Sequence, residues 1–386
     1  MSLSPGDSAR HGRRADRKRL RRSRRLLEVA FGVVLTAVVL GLTVGLVLDG
    51  GTKGKVVATA EPRRPSSPPV VRRTPWPIPG YLLVADRGNN RIVLVDGRKR
   101  VLWRYPRPGT RPGFPFVFDD DAFFGPNLRS IISNQEDQHT IQLISFPGGR
   151  VLWHYGHVNH PGSTRGYLRT PDDAYLLPSG LRTVADAYNC RILFLSAAHR
   201  IVREYGHARR CLHRPPGFLG PVNGATPLAD GGMLVSEIAG SWIDGISAHG
   251  RLLFAFRAPV SYPSDPQPMP GGRILLADYS RPGQALIVDR RGHVVWRYGP
   301  RSGAGELDHP SLALPLGNGL IAVNDDFRHR VVLISIREHR IVWQYGHTDV
   351  KGSGRNYLNT PDGMDLLPFQ RALAVPKIRA LVLSPR

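Results

Sequence analysis

The chain has 386 residues, a formal net charge of +23, 42 glycines, 34 prolines and two cysteines. That length exceeds one small domain and suits one large all-β domain with appendages. The basic charge alone would admit nucleic acid, anionic lipid or an acidic polymer as partner, but no nucleic-acid-binding motif, G-x-S-x-G, H-E-x-x-H or phosphate loop is present.

Ten Lys/Arg lie between Arg10 and Arg25, followed by residues 29–48, twenty positions without a charge. At 1.5 Å per residue such a helix spans about 30 Å, one bilayer core. Positive residues stay in the cytoplasm, which predicts residues 1–28 as a cytoplasmic tail, one membrane-spanning helix, and everything after it outside. A cleaved signal peptide would have a core of about 7–15 residues with a small-residue site close behind; here the first such site, Ala58-Thr59-Ala60, comes twelve residues past Leu48. Residues 49–79 turn from Gly to Pro-Arg-Ser-Pro runs and read as a disordered linker, stiff in its Pro-rich half. The lipid bilayer is thus an expected partner, and nucleic acid is not.

From residue 80 the sequence repeats. Residues 153–178 and 343–368 align without a gap through Trp, Tyr-Gly-His, Tyr-Leu, Thr-Pro-Asp and Leu-Leu-Pro. A Trp-x-Tyr mark or its substitute recurs at Trp103/Tyr105, Trp153/Tyr155, Arg203/Tyr205, Phe254/Phe256, Trp296/Tyr298 and Trp343/Tyr345, giving six repeats. Each holds four short apolar runs parted by polar or Gly turns; in the third these are 174–177, 183–185, 191–195 and 201–205. Four strands per repeat, arranged radially, predict an all-β fold, a six-bladed β-propeller over 80–368. The first repeat lacks an inner strand, because residues 76–79 are too Pro-rich, and 360–368 resembles an inner strand without outer ones. The two ends should complete one blade and close the ring, leaving 369–386 as a further strand or tail.

The runs Asp86-Arg-Gly-Asn89-Asn-Arg91-Ile and Asp186-Ala-Tyr-Asn189-Cys-Arg191-Ile, with Pro361-Asp-Gly363, resemble the NHL family of propellers. The Trp-x-Tyr endings are also similar to those of quinoprotein-type and arylsulfotransferase-type propellers. The resemblance implies the fold; propellers host many activities.

Four constellations are candidates for chemistry. The Asp-x-x-Asn-x-Arg turns are expected to be structural, since Asp and Asn bond their own backbone in tight turns. Aligning the inner strands brings Asp120, Asp172, Asn223, Ser264, His309 and Asp362 into one column around the channel, an arrangement that would hold Ca²⁺ through oxygen ligands unless each acid merely caps its own turn. His157, His207 and His347 lie on blade-joining loops, where converging imidazoles would bind Zn²⁺; the resemblance extends to NHL-like amidating lyases that use such histidines. Packing beside Tyr and Gly is the plainer role. Arg165 and Arg355 are either anion clamps or partners of Asp172 and Asp362. Outside the cytoplasm Cys190 and Cys211 meet an oxidising environment; their loops share a face, which predicts a disulfide, two free thiols being the alternative.

Two functions fit: a surface-displayed module binding a protein, glycan or small molecule, or a metal-dependent lyase or hydrolase with its site at the channel mouth.

Overall fold

Alternating turn signals and fully apolar strand centres dictate the architecture. The computed structural model describes residues 77–383, in which every blade is a four-stranded antiparallel sheet and there are six of them. β1 (Gly80–Asp86), β2 (Arg91–Val95) and β3 (Val101–Tyr105) are three strands of blade 1. Blade 2 holds β4 (Ala122–Phe124), β5 (Ser130–Gln135), β6 (Thr140–Ser145) and β7 (Val151–Gly156). Blade 3 holds β8 (Pro171–Leu176), β9 (Arg182–Asp186), β10 (Arg191–Leu195) and β11 (Ile201–Gly206). Blade 4 follows with β12 (Val222–Pro227), β13 (Met233–Glu237), β14 (Trp242–Ile246) and β15 (Leu252–Arg257). Blade 5 has β16 (Pro263–Met269), β17 (Arg273–Asp278), β18 (Gln284–Val288) and β19 (Val294–Tyr298). In blade 6, β20 (Ala313–Pro315), β21 (Leu320–Asp325), β22 (Arg330–Ser335) and β23 (Arg340–Gly346) complete the set. The last strand, β24 (Pro361–Pro368), pairs with β1 from Gly80↔Pro368 to Asp86↔Pro361, so blade 1 is built from both ends of the described chain. No sheet edge is left open at that seam.

Second and third strands are buried throughout, as in β9 and β10, or for all but one end residue, as in β17 and β21, because each sheet is covered on both faces by neighbouring blades. Ile78, Leu82, Val93, Phe123, Leu143, Val184, Leu333 and Met364 share one core that runs through blades 1, 2, 3 and 6.

The Trp-x-Tyr marks tie blade to blade. Trp103 Nε1 donates to Pro147 O (2.9 Å), Trp153 to Ala197 O (3.1 Å), Trp296 to Ile336 O (3.0 Å) and Trp343 to Gly97 O (3.1 Å). Each acceptor lies in the outer hairpin turn of the next blade, and the Trp343 bond crosses the closing seam. Blade 3 has Arg203 in the tryptophan's place, and its Nη1 reaches Ala248 O (3.0 Å) in the same way.

Residues 369–383 differ from the strand or tail read from the sequence. They form two helices, α1 (Phe369–Ala374) and α2 (Pro376–Leu383). Leu, Ala, Arg and Lys favour helix, Pro376 sits at the first helical position, where a missing N–H costs nothing, and Ile378 and Val382, four apart, share one face. That face joins Tyr81, Leu83 and Trp103 in the blade 1 core, while Phe369 meets the Tyr81 ring edge-on at 5.2 Å. Among the described residues no helix is long and apolar enough to cross a membrane; residues 29–48 lie outside them, as does most of the 49–79 segment.

Trp343→Phe keeps the ring but removes the seam bond. It should lower unfolding free energy by about 1 kcal/mol, seen as a lower urea midpoint at unchanged slope; an unchanged midpoint would mean that the bond contributes nothing to closure.

Candidate functional site

The site grows from a repeated turn. Each of β1, β9 and β21 ends on an aspartate and passes through one turn of 3-10 helix into a left-handed residue, Asn90, Cys190 or His329. Asp86 accepts from Asn89 Nδ2 (2.8 Å) and Arg91 Nε (2.6 Å), and Asp186 from Asn189 Nδ2 (2.8 Å) and Arg191 Nε (2.7 Å). Arg91 then reaches Ser353 O (2.7 Å) and Tyr357 O (2.8 Å) on the loop entering β24. These groups bind one another and hold the blade-joining loops.

At the position immediately after that aspartate, or its counterpart, Arg87, Glu136 and Asp326 reach the inner-strand column or one another. Around the ring these positions are Arg87, Glu136, Ala187, Ile238, Tyr279 and Asp326. Arg87 gathers the carboxylates: Nη1 binds Asp362 Oδ2 (2.9 Å) and Asp120, and Nη2 binds Glu136 Oε2 (2.7 Å) and Asp137 (3.4 Å). Burial opposes its charge, yet Asp120, Glu136 and Asp362 hold its pKa well above the ordinary range.

Below the mouth the inner-strand column forms a hydrogen-bonded arc. Asn223 Nδ2 donates to Asp172 Oδ2 (2.9 Å), Ser264 Oγ to Asn223 Oδ1 (2.7 Å), and Asn134 Nδ2 to Asp120 Oδ2 (3.1 Å). Blade 6 contributes Ser311, whose Oγ reaches Asp362 O (3.1 Å) and Asp326 Oδ1 (2.8 Å). The column position in that blade therefore belongs to Ser311. His309 stands two residues earlier in a left-handed conformation (φ 52°), with Nδ1 2.6 Å from Asp308 Oδ1, because the Pro310-Ser311 pair, and not Asp308-His309, matches Pro171-Asp172.

One residue further in, three carboxylates meet on the axis. Asp121, Asp173 and Asp265 each offer an oxygen within 4.8 Å of the others, and the residues are 2%, 1% and 3% exposed. Asp173 Oδ2 accepts the Ala225 N–H (2.7 Å) and the Tyr175 hydroxyl also favours its ionised form, but among the described residues Oδ1 of Asp121, Asp173 and Asp265 is without a hydrogen-bond partner. Gly224 and Gly363 make room: a Cβ at 224 would stand 2.8 Å from Asp265 Oδ1, and one at 363 would overlap Asp121 Oδ1. Underneath, Phe123 stacks on Tyr175 at 4.3 Å. Burial pushes the Asp173 pKa up to about 7; burial, then Asp173 and further axial acids, push Asp121 and Asp265 well above the carboxylate range. Three such groups cannot all ionise side by side without a counter-charge. Their unpaired oxygens fit a hard cation of the Ca²⁺ class, and with no nitrogen or sulfur donor they do not favour Zn²⁺.

The opposite wall of the mouth is aromatic. Tyr262 and Tyr279 lie 5.3 Å apart, Tyr279 and His309 5.0 Å, His309 and Phe327 4.7 Å. Burial raises the pKa of Tyr262 and of Tyr279 well above its ordinary value, aided by Asp172 and Glu136 for the first and by Asp326 and Asp362 for the second.

The histidines do not gather. His157 packs on Tyr167 (4.2 Å), His347 on Tyr357 (4.1 Å) and His207 beside Phe218 (6.1 Å), each within its own loop. Arg165 and Arg355 are exposed, and Arg87 takes the place expected of Arg355 at Asp362. Cys190 and Cys211 are disulfide-bonded with Cα atoms 5.2 Å apart.

No protein-family model matches the chain, and no curated protein matches it. Among solved structures, a protein of unknown function from Bacteroides caccae aligns at TM-score 0.53 and 18% identity, covering 74% of this chain and 98% of that one. A chain of a nidogen/laminin complex aligns at TM-score 0.50 and 13% identity, covering 74% and 97%. A streptogramin B lyase aligns at 0.44 and 17%, covering 61% and 70%. The class is thus a six-bladed β-propeller, and the likenesses extend to the fold alone.

Two outcomes test the axial acids. Asp173 holds its proton to about pH 7 when folded, against about 3.9 for an unfolded chain. Above pH 4 the unfolded state therefore binds fewer protons, and stability falls as pH rises toward 7. In chelator the melting temperature should fall between pH 4 and 7, and millimolar Ca²⁺ should reverse the fall; a flat or rising profile would contradict the site. Gly363→Ala drives a methyl into Asp121 and should cost about 1–3 kcal/mol, measured by urea unfolding.

Proposed function

We propose that the protein is a membrane-tethered, extracytoplasmic binding module that captures a ligand bearing an ammonium or guanidinium group at the mouth of the propeller channel. The observation that carries this reading is the pairing of an aromatic wall, Tyr262, Tyr279 and Phe327, with a carboxylate wall of Glu136, Asp137, Asp172 and Asp362. Aromatic faces attract cations, and although Arg87 pairs with Glu136, Asp137 and Asp362, carboxylates outnumber this guanidinium at the mouth, and such an excess focuses field even on a basic protein. The acidic field is local, since the chain as a whole carries +23.

Binding is favoured over catalysis by where the axial acids lie. They sit beneath the ring bridged by Arg87 and are at most 3% exposed, a place suited to an ion that braces blades 2, 3 and 5. A metal that polarises substrate or activates water must touch it. The tether rests on the uncharged stretch 29–48 behind its basic tail; the disulfide is in keeping with an oxidising compartment. The chain enters β1 at Gly80, at the blade end far from the 3-10 turns.

The test is titration of the full-length protein with arginine, glucosamine and neutral N-acetylglucosamine, followed by intrinsic fluorescence. The two cationic probes should saturate, weaken with salt, and lose roughly tenfold affinity in Tyr279→Ala, about 1.4 kcal/mol and within the range of a desolvated cation–π contact. Equal binding of the neutral probe, or no effect of Tyr279→Ala, would overturn the reading. Fractionation with protease protection checks the tether: the body should pellet with membranes and be cleaved from outside.

A further inference from the structure

Blade 4 departs from the arrangement that blades 1, 3 and 6 share. In those three, the acid ending the second strand is paired with an arginine heading the third: Asp86 with Arg91 (2.6 Å), Asp186 with Arg191 (2.7 Å), Asp325 with Arg330 (2.6 Å). Blade 4 keeps the acid as Glu237, but the residue opposite it in register is Trp242. A second acid has also entered. Asp244 lies two residues beyond Trp242, where blades 1, 3 and 6 carry buried Val93, Leu193 and Val332. The blade has thus lost its cation and gained a carboxylate, both in its core.

Glu237 and Asp244 are 0% exposed. Glu237 Oε2 accepts the Gly220 N–H (2.8 Å), while among the described residues Glu237 Oε1 and both Asp244 oxygens are buried with no N–H donor, the two carboxyls lying within hydrogen-bonding reach of each other. Arg257 does not neutralise them: it lies over the Trp242 ring, 4.9 Å from its centroid, and forms no ion pair with either acid among the described residues. The third member arrives from the loop joining blades 3 and 4. His213 lies flat on Trp242, ring centroids 3.9 Å apart and planes within 4°. Its loop is pinned by the Leu212 N–H to Leu219 O (3.2 Å) and by the Cys190–Cys211 bond two residues earlier.

His213 Nδ1 stands 3.2 Å from Glu237 Oε2 and 3.9 Å from Asp244 Oδ2, and it has no hydrogen-bond partner among the described residues. Donors bonded to one tetrahedral ion at about 2.0–2.1 Å are roughly 3.4 Å apart, so these spacings are those of ligands about a common centre. We propose that His213, Glu237 and Asp244 form a binding site for a divalent transition-metal ion of the zinc class. The imidazole nitrogen distinguishes it from the all-oxygen axial set and selects a softer ion than Ca²⁺. Trp242 orients the imidazole, the Gly220 N–H orients one carboxylate, and three protein donors leave a fourth position for water. The ion supplies the positive charge that arginine supplies in blades 1, 3 and 6; in blade 5 the corresponding Asp278 accepts from Gln284 instead.

The test is metal uptake by the full-length protein stripped with chelator. Zn²⁺ should bind at one ion per chain in a form that millimolar Ca²⁺ does not displace, and Co²⁺ in its place should give visible absorption typical of a nitrogen- and oxygen-ligated ion. His213→Ala and Asp244→Asn should each weaken this binding at least a hundredfold, while Asp121→Asn on the channel axis leaves it unchanged. Asp244→Asn preserves shape and keeps the test valid should His213→Ala not fold. Undiminished Zn²⁺ binding in both blade 4 variants would overturn the proposal. So would a wild-type protein that takes up no Zn²⁺, with Asp244→Asn raising its melting temperature; the two acids would then share a proton.

Discussion

Closing six sheets into a ring forces equivalent inner-strand positions onto one axis, and most of the chemistry follows from that crowding. A residue that would sit harmlessly on an isolated sheet here meets its own counterparts from the other blades. Where several counterparts are aspartates, their charges cannot be diluted by water, and each must find a hydrogen bond, a guanidinium or an ion. Arg87 answers for Asp120 and Asp362 at the upper level. Asn223 and Ser264 answer for Asp172 by a relay of hydrogen bonds. One level down, no side chain does so for the unpaired oxygens of Asp121, Asp173 and Asp265.

The same geometry explains why the outer rim is so regular. A ring held only by apolar packing could slip one blade against the next, since apolar contact has no direction. The indole bonds from Trp103, Trp153, Trp296 and Trp343 to the next blade's turn add direction at a fixed radius. Arg203 makes the equivalent bond with different chemistry, whereas Phe254, at that position in blade 4, keeps an aromatic ring and has no donor.

Much of this was legible in the sequence. Trp-x-Tyr spacing counts the blades, and the poverty of 76–79 in strand formers foretells that the C-terminal segment must supply the missing inner strand. Asp172 and Asp362 are marked by Pro-Asp at the head of their inner strands, while Asp120, Asn223 and Ser264 lack that dipeptide and are placed by alignment with those two. His309 was misplaced because Ser311, which follows Pro310, holds that position in blade 6. The deeper acids were overlooked for a related reason: a run such as Asp119-Asp120-Asp121 does not say which member faces inward. The signal was there in the complement, Gly224 and Gly363, whose missing side chains mark where a neighbour's carboxylate intrudes. The aromatic wall escaped notice because Tyr262 answers to no repeat motif, and the repeated position that Tyr279 holds carries a different residue in every blade.

Departures from the repeat are where new chemistry becomes visible. An arginine that pairs an aspartate in three blades has a structural role, since its loss would strand a buried charge. When Trp242 replaces it and a buried acid appears beside it, two changes that each cost stability alone have been retained together. The simplest physical account is a third component that makes both favourable, and His213, laid flat on that same tryptophan, faces the two acids. Symmetry thus serves as an internal control: the other blades show what the backbone requires, and the remainder in blade 4 is what a ligand requires.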